Sequence, residues 1–327
     1  MIDMFRQATA LDEDFGGKSM LILGTLGSNK TSLLCGLAER AVSQGEKVIW
    51  HGKPIDSWHN IKAENVWIHR PAEMDIALYL QERRRSGSRT NLFDTRDDID
   101  LIPYTGPFDF MTHIKEGLNI VYLAPYARQW KELFWTLALM KVTQRSESDW
   151  YHISIDEVNE IFPPKVGSDS LDYYLSPVIG MATADIRKAF VNLVLSAHTY
   201  SFVHPIIRDT TMYLIQLQNK SSYSGSPVSD KAVRALAIGQ GYIEGMSPEG
   251  WIFEQFPFTM RASLRSGTEV KVQYLYDTMA FIPPWSDGSL DIVPQMVPDE
   301  VLYSLGLKER EDRRKNNGDA ARFKAGR

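Results

Sequence analysis

Cysteine is nearly absent: Cys35 is the single one in 327 residues. No disulfide can form within the chain and a thiolate-rich zinc site is excluded, so Cys35 reads as a small core residue of a protein from a reducing compartment. The seven histidines form no closely spaced cluster, and no structural metal is expected. Long apolar runs are missing too. No window approaches the roughly 18–20 apolar residues of a membrane-spanning helix, and Met1 to Gly17 is mixed and acidic where a secretion signal would be apolar, so neither is expected. Positive charge is not in excess: 36 Lys and Arg stand against 41 Asp and Glu, a formal charge of -5. That argues against a surface basic all over, while leaving room for a positive channel or tail. What is present is ordinary for a globular chain, 43% apolar and 24% charged, in a length that suits one large α/β domain with or without a small appendage.

The chain is organised around Ser19 to Ala41. Met20 to Leu23 reads as a buried strand, and Thr31 to Ala41 carries Leu33, Leu34, Leu37 and Ala41 at helical spacing. Between them lies Gly24-Thr25-Leu26-Gly27-Ser28-Asn29-Lys30-Thr31. A polyphosphate is a dense anion, and such a loop binds it by turning backbone N–H groups inward at a helix N-terminus while a lysine supplies a mobile charge. Gly24 and Gly27 give the turn room, with Ser28, Asn29 and Ser32 completing the cradle. Lys30 would reach the β and γ phosphates of a bound nucleotide, and the Thr31 hydroxyl would help hold Mg²⁺. The usual pattern has glycine where Asn29 stands; asparagine is the non-glycine residue that best tolerates a left-handed backbone. The bland alternative is a strand-turn-helix junction with a capping hydroxyl.

A second half of the site follows from Trp150 to Ile155, a strand that runs into Asp156-Glu157. Adjacent carboxylates at the C-terminal end of a buried strand face the crevice where open α/β sheets bind ligands. Asp156 suits the Mg²⁺ shell, and Glu157 is placed to orient or deprotonate the attacking water, against the alternative of an acidic helix cap. The apolar strand Val191 to Thr199 ends in Ser196, His198 and Thr199, where a γ-phosphate sensor would sit; His198 is the candidate, against a structural hydrogen-bonding histidine. The phosphate-loop and carboxylate strands are expected side by side in one sheet.

Further strands are expected at Lys47–Trp50, Val66–His69, Asn119–Leu123 and Thr211–Leu217, and helices at Ala72–Arg85, Trp130–Val142, Val178–Ala189 and Asp230–Ile238. Gly241–Ile243 and Gly250–Phe256 suggest a hairpin, and Val270–Leu275 another strand. The resulting division is an irregular lead-in or edge element at 1–17, an ATPase domain at 18–280 with an excursion at about 71–115, a peripheral arm at 281–306 whose start, through Trp285, reads as an extended surface segment, with a brief helix around Asp299 to Leu305, and a basic flexible tail at 307–327. Positive charge gathers at Arg83, Arg84 and Arg85, with Arg89 nearby, and in the tail around Arg314. Each cluster reads either as solvated surface or as a contact for a polyanion or partner.

The order of these parts resembles the RecA-like DNA-pumping ATPases of the FtsK/HerA type. It runs from Gly24–Thr31 through Asp156-Glu157, the basic helix end Arg187-Lys188, LVLSAHT and the Arg208 to Gln218 segment to the Leu236 to Gly241 turn. The short single-domain form is similar to genome-packaging ATPases of archaeal and related viruses. The resemblance covers roughly Met20 to Leu264. It implies an α/β fold with a mainly parallel central sheet flanked by helices and antiparallel additions near the C-terminal end. It also implies Mg²⁺-dependent ATP hydrolysis that moves double-stranded DNA, a self-assembled ring of hexameric type, a capsid or portal-like partner, and a location in the host cytoplasm or transiently at a viral particle. Glu157 corresponds to the glutamate after the Walker B aspartate. The family's sensor is a glutamine, and His198 stands at about that place. The family places an arginine against the neighbour's nucleotide, for which Arg187 and Arg208 compete. A nucleotide switch or a secretion or assembly ATPase that does not pump DNA is the competing reading.

Overall fold

The protein is described by a computed structural model covering residues 4–83, 89–94, 101–123, 126–145, 149–164, 171–247, 250–258, 268–274, 283 and 285. Helix α1 (Met4–Thr9) leads into β1 (Ser19–Leu23), and helix α2 (Lys30–Ser43) carries the chain from the glycine loop to β2 (Lys47–Gly52). The short β3 (Ile55–Asp56) and β4 (Val66–Pro71) precede a hairpin of β5 (Ile76–Arg83) and β6 (Arg89–Asp94). Next come β7 (Leu101–Tyr104), α3 (Pro107–Thr112), β8 (Gly117–Tyr122), α4 (Arg128–Thr143) and β9 (Tyr151–Ile155). The chain continues through α5 (Leu171–Asp185), β10 (Val191–Ala197), α6 (Pro205–Thr210), β11 (Tyr213–Gln216) and α7 (Asp230–Arg234). It closes with the strand pair β12 (Gln240–Ser247) and β13 (Gly250–Pro257), then β14 (Thr268–Tyr274).

Ten strands form one sheet in the order β13, β12, β11, β1, β10, β9, β2, β8, β4, β7. From β11 to β7 every neighbouring pair runs parallel, while β12 and β13 add antiparallel at one edge. This is the expected α/β class. A parallel sheet is covered on both faces, so its strands must be apolar on both sides. β1 shows how: Leu21 and Leu23 enter the core packed by α3, α4 and α5, whereas Met20 and Ile22 enter the one packed by Leu33, Leu34 and Leu37 of α2. Parallel direction brings the C-terminal ends of β1, β2, β9, β10 and β11 to a single edge, where a ligand crevice belongs.

Four expectations need correcting. Ala72–Arg85 is not a helix: Pro71 ends β4 and Ile76–Arg83 is a strand whose Ile76 and Leu78, with Leu80 against them, pack into the α2-side core at a period of two. Its partner is β14, paired antiparallel from Thr268↔Glu82 to Tyr274↔Ile76, in a second sheet ordered β3, β14, β5, β6. The excursion is also shorter than expected, because β7 rejoins the main sheet beside β4. The last long helix before β10 runs Leu171–Asp185 and carries Pro177 inside it, so it lies earlier than Val178–Ala189. Trp285 does not lie on a surface arm. It is 8% exposed and meets the rings of Tyr126 and Phe134 edge-on, within the aromatic cluster that Tyr104, Phe110 and Phe134 form over the sheet. The expected helix at 299–305 and the basic tail with Arg314 fall outside the described residues. The hairpin at β12 and β13 and the helix α4 form as expected.

At the opposite, N-terminal edge of the strands, Lys18 donates through Nζ to the carbonyls of Gln7 and Ala10, which fastens α1 to the sheet. Beside it Glu46 is 2% exposed and accepts a 2.7 Å hydrogen bond from Asn192. Burial raises its carboxyl from 4.5 to about 7, against the Asn192 bond and the Lys18 charge. A carboxyl whose folded-state value lies above its unfolded one holds its proton more tightly when folded. It therefore adds stability below the unfolded value, and that contribution is lost as pH rises. The expected outcome is a loss of about 2 kcal/mol between pH 4.5 and pH 7 in urea melts of the wild type, absent from the slope of Glu46→Gln.

Candidate nucleotide site

The glycine loop is fastened at its base. Gly24 N donates to Ala197 O at 3.3 Å and Thr25 N to Gln218 O at 3.3 Å, which ties it to the exits of β10 and β11. Gly24 has no room for a side chain, since a Cβ there would lie 2.3 Å from Ser28 Oγ. Gly27 has φ +81 and Asn29 has φ 67, ψ 32, so the position where the usual pattern has glycine is left-handed here as well. The Asn29 side chain donates to Gly27 O and makes no capping bond to α2. The first-turn amides of that helix are thereby left for an anion. Ser32 is buried in the same turn, and Ser28 Oγ is buried without a partner among the described residues. Lys30 is 7% exposed; its Nζ donates to Gly24 O at 2.7 Å, and burial lowers its pKa against the pull of Asp156 and Glu157.

The glycine-loop and carboxylate strands, expected side by side, are not neighbours, because β10 lies between β1 and β9. The insertion brings Ser196 and His198 between the two halves of the site. Ser196 Oγ donates to Asp156 Oδ1 and accepts from Glu157 N at 3.1 Å, which pins the turn that follows β9. Thr31 Oγ1 lies 3.4 Å from Asp156 Oδ2, two hard oxygen donors pointed at one place. Glu157 itself is left-handed, at φ 56 and ψ 57. His198 bridges the halves: Nδ1 is 3.0 Å from Lys30 Nζ and Nε2 is 3.3 Å from Glu157 Oε1. An ammonium only donates and a carboxylate only accepts, so Nδ1 is the acceptor and Nε2 carries the hydrogen.

Lys53, just past β2, was not singled out by its sequence. Its Nζ lies 3.3 Å from Glu157 Oε2 and 3.7 Å from Asp156 Oδ2. Burial works to lower the Lys53 pKa, but Asp156, Glu157 and Glu160 together raise it. Burial pushes the Glu157 carboxyl up; a hydrogen bond from Glu160 and the Lys53 charge outweigh it and hold Glu157 at about 2. Glu160 is raised by burial and by that shared bond. The available signal for Lys53 was topological. A residue that follows a parallel strand emerges at the same edge as the loop.

A cleft of about 390 Å³ is lined by Thr25, Leu26, Gly27, Asn29, Lys30, Thr31, Ser32, Ser57, Asp156, Glu157 and His198. Arg187 is not near it. Its Nε donates to Phe15 O and its guanidinium stacks on Phe15, at the N-terminal end of β10. The seven residues of β10 separate that end from His198 by roughly 20 Å. Arg208 sits on α6 with its guanidinium 5.0 Å from the Tyr200 ring, two residues past His198, and its buried Nε has no partner among the described residues. Arg83 ends β5, where the backbone pairs it with Arg89; Arg84 and Arg85 lie outside the described residues.

No protein-family model and no curated protein matches the chain. Solved structures do. The genome packaging NTPase of Sulfolobus turreted icosahedral virus 2, in complex with sulfate, is 12% identical with a TM-score of 0.47, over 75% of this chain and 99% of that one. The bacterial conjugative coupling protein TrwBdeltaN70 is 10% identical with a TM-score of 0.45, over 79% and 91%. The N-terminal domain of zonular occludens toxin from Neisseria meningitidis is 10% identical with a TM-score of 0.30, over 81% and 97%. Each score is below 0.5, and the functional reading therefore rests on the geometry of the cleft.

The backbone at Asn29 makes a direct prediction. Asn29→Gly should fold and bind inorganic pyrophosphate as the wild type does, within a few-fold. Asn29→Val, with a β-branched residue forced left-handed, should lose about 1–2 kcal/mol of stability in urea melts and bind pyrophosphate about tenfold more weakly by calorimetry.

Proposed function

We propose that this chain is a Mg²⁺-dependent ATPase. The observation that carries the reading is the convergence of Lys30, Thr31, Asp156 and Glu157, from two segments far apart in the chain, on one cleft beside an uncapped helix N-terminus. The fit to the metal is chemical: Thr31 Oγ1 and Asp156 Oδ2 are oxygen donors held close together, as a small hard cation that also takes phosphate oxygens requires. Bound Mg²⁺ would neutralise charge on the β and γ oxygens. The amides at the start of α2 and the Lys30 ammonium would cradle those phosphates, and Glu157 would receive the proton of the attacking water. His198, in contact with both Lys30 and Glu157, is the group placed to register the γ-phosphate.

The finer reading is that hydrolysis moves double-stranded DNA, of viral or mobile-element origin, through a ring of identical subunits, with a capsid or portal-like protein as docking partner. Two features support it. Among the described residues no arginine lines the cleft, so an arginine such as Arg208 or Arg187 would have to come from a neighbouring subunit. The β5–β6 ladder also gathers Arg83 and Arg89 at its end, a place suited to sequence-independent phosphate contact. The engagement of Glu157 by Lys53 and His198 favours a second reading, a nucleotide switch with little turnover. Among the described residues no helix is long and apolar enough to cross a membrane.

Lys30→Ala should lose both Mg·ATP binding and turnover, whereas Glu157→Gln should keep binding and lose about 100-fold in kcat. Wild type that binds no ATP in calorimetry with Mg²⁺ present would overturn the ATPase reading. Pumping predicts ATPase stimulation by random-sequence duplex DNA that falls steeply between two salt concentrations. The stimulation should be lost in Arg83/Arg84/Arg85→Ala or in a chain ending at Gly306. A rate indifferent to DNA in the assembled wild type would leave the switch reading.

A further inference from the structure

Lys53 occupies a position that a solvated surface lysine does not. The turn that bears it is built around one buried carboxylate: Asp56 accepts from Trp50 Nε1 at 3.1 Å, from Lys53 N at 2.7 Å, from Ser57 N at 2.6 Å and from Trp58 N at 3.1 Å. The second sheet fastens the same turn from outside, since β14 pairs with β3 at Val270↔Asp56 and Val272 N donates to Pro54 O at 2.8 Å. The Lys53 side chain is 18% exposed and projects from this anchored turn across the exit of β2 to the exit of β9, where Asp156 and Glu157 stand side by side. Two adjacent carboxylates at a shared site repel each other, and a cation held by a rigid turn is the simplest way to keep both in place without a bound metal.

We infer that Lys53 is a positioning residue of the nucleotide site, an internal cation that holds the Asp156 and Glu157 carboxylates in their working arrangement and competes with a divalent cation for them when no nucleotide is bound. The inference rests on the ATPase reading for its catalytic consequence but not for its metal-binding one. Removing a positive charge a few ångströms from a cation site strengthens capture of the cation, and at an effective dielectric near 20 the change is large even after screening. Loosening the carboxylates by about 1 Å costs catalysis far more than it costs substrate binding.

The experiment compares wild type with Lys53→Met, Lys53→Gln and Lys53→Arg, each first checked for a wild-type melting transition. Mn²⁺ titrated into nucleotide-free protein and followed by electron paramagnetic resonance should bind about tenfold more tightly to the Met and Gln variants than to wild type, and the Arg variant should match wild type. In steady-state ATP hydrolysis the Met and Gln variants should lose about ten- to a hundredfold in kcat with KM changed less than threefold, and Arg should restore part of the loss. Unchanged Mn²⁺ affinity, or a wild-type kcat in Lys53→Met, overturns the assignment. Wild type that neither binds nor hydrolyses ATP overturns the proposed function instead, and the Mn²⁺ series then still decides the role of Lys53.

Discussion

The spacing of three parallel strands in register is the constraint on which the site depends. Leu23 of β1 pairs with Ala197 of β10, and Leu195 of β10 with Ile155 of β9, so β1 and β10 end at one level and β9 ends two residues earlier. With neighbours about 4.8 Å apart, one inserted strand sets the axes of β1 and β9 about 10 Å apart, and Thr31 Oγ1 at the start of α2 still comes within 3.4 Å of Asp156 Oδ2. The inserted strand also brings its own polar end, Ser196 and His198, to the middle of the gap.

Charge is balanced within that gap rather than by solvent. Lys30 and Lys53 face Asp156 and Glu157, with His198 relaying a hydrogen bond from Lys30 to Glu157 and Glu160 sharing one with Glu157. Buried or half-buried charges are tolerated when each has a partner, and removal of one partner leaves the other exposed to the full desolvation cost.

The second sheet ties distant parts of the chain to this site. β14 holds β5, which ends at Arg83, and on its other side β3, which contains Asp56 beneath Lys53. The ladder runs from an arginine-bearing hairpin to the turn that carries Lys53, and so is a continuous physical connection between the candidate phosphate contact and the candidate carboxylates. Trp285 performs a comparable service on the opposite face, closing the aromatic cluster over α4.

Local pattern was enough to determine the glycine-rich turn with its strand and helix, the strand before Asp156, the hairpin of β12 and β13 and the α/β class. In the turn, the strands and the helix the signal is local: apolar runs, helical spacing, glycines and a Lys-Thr pair; the α/β class follows from the order in which such elements succeed one another. The same local reading misassigned Ala72–Arg85, because Ile76, Leu78 and Leu80 alternate in a strand whose partner, β14, lies nearly two hundred residues away. Only the tertiary structure decided that β10 separates the two halves of the site, that Arg187 lies at the far end of the strands, and that Lys53 reaches Glu157. Strand order and the convergence of strand ends are properties of long-range pairing, which no window of sequence contains.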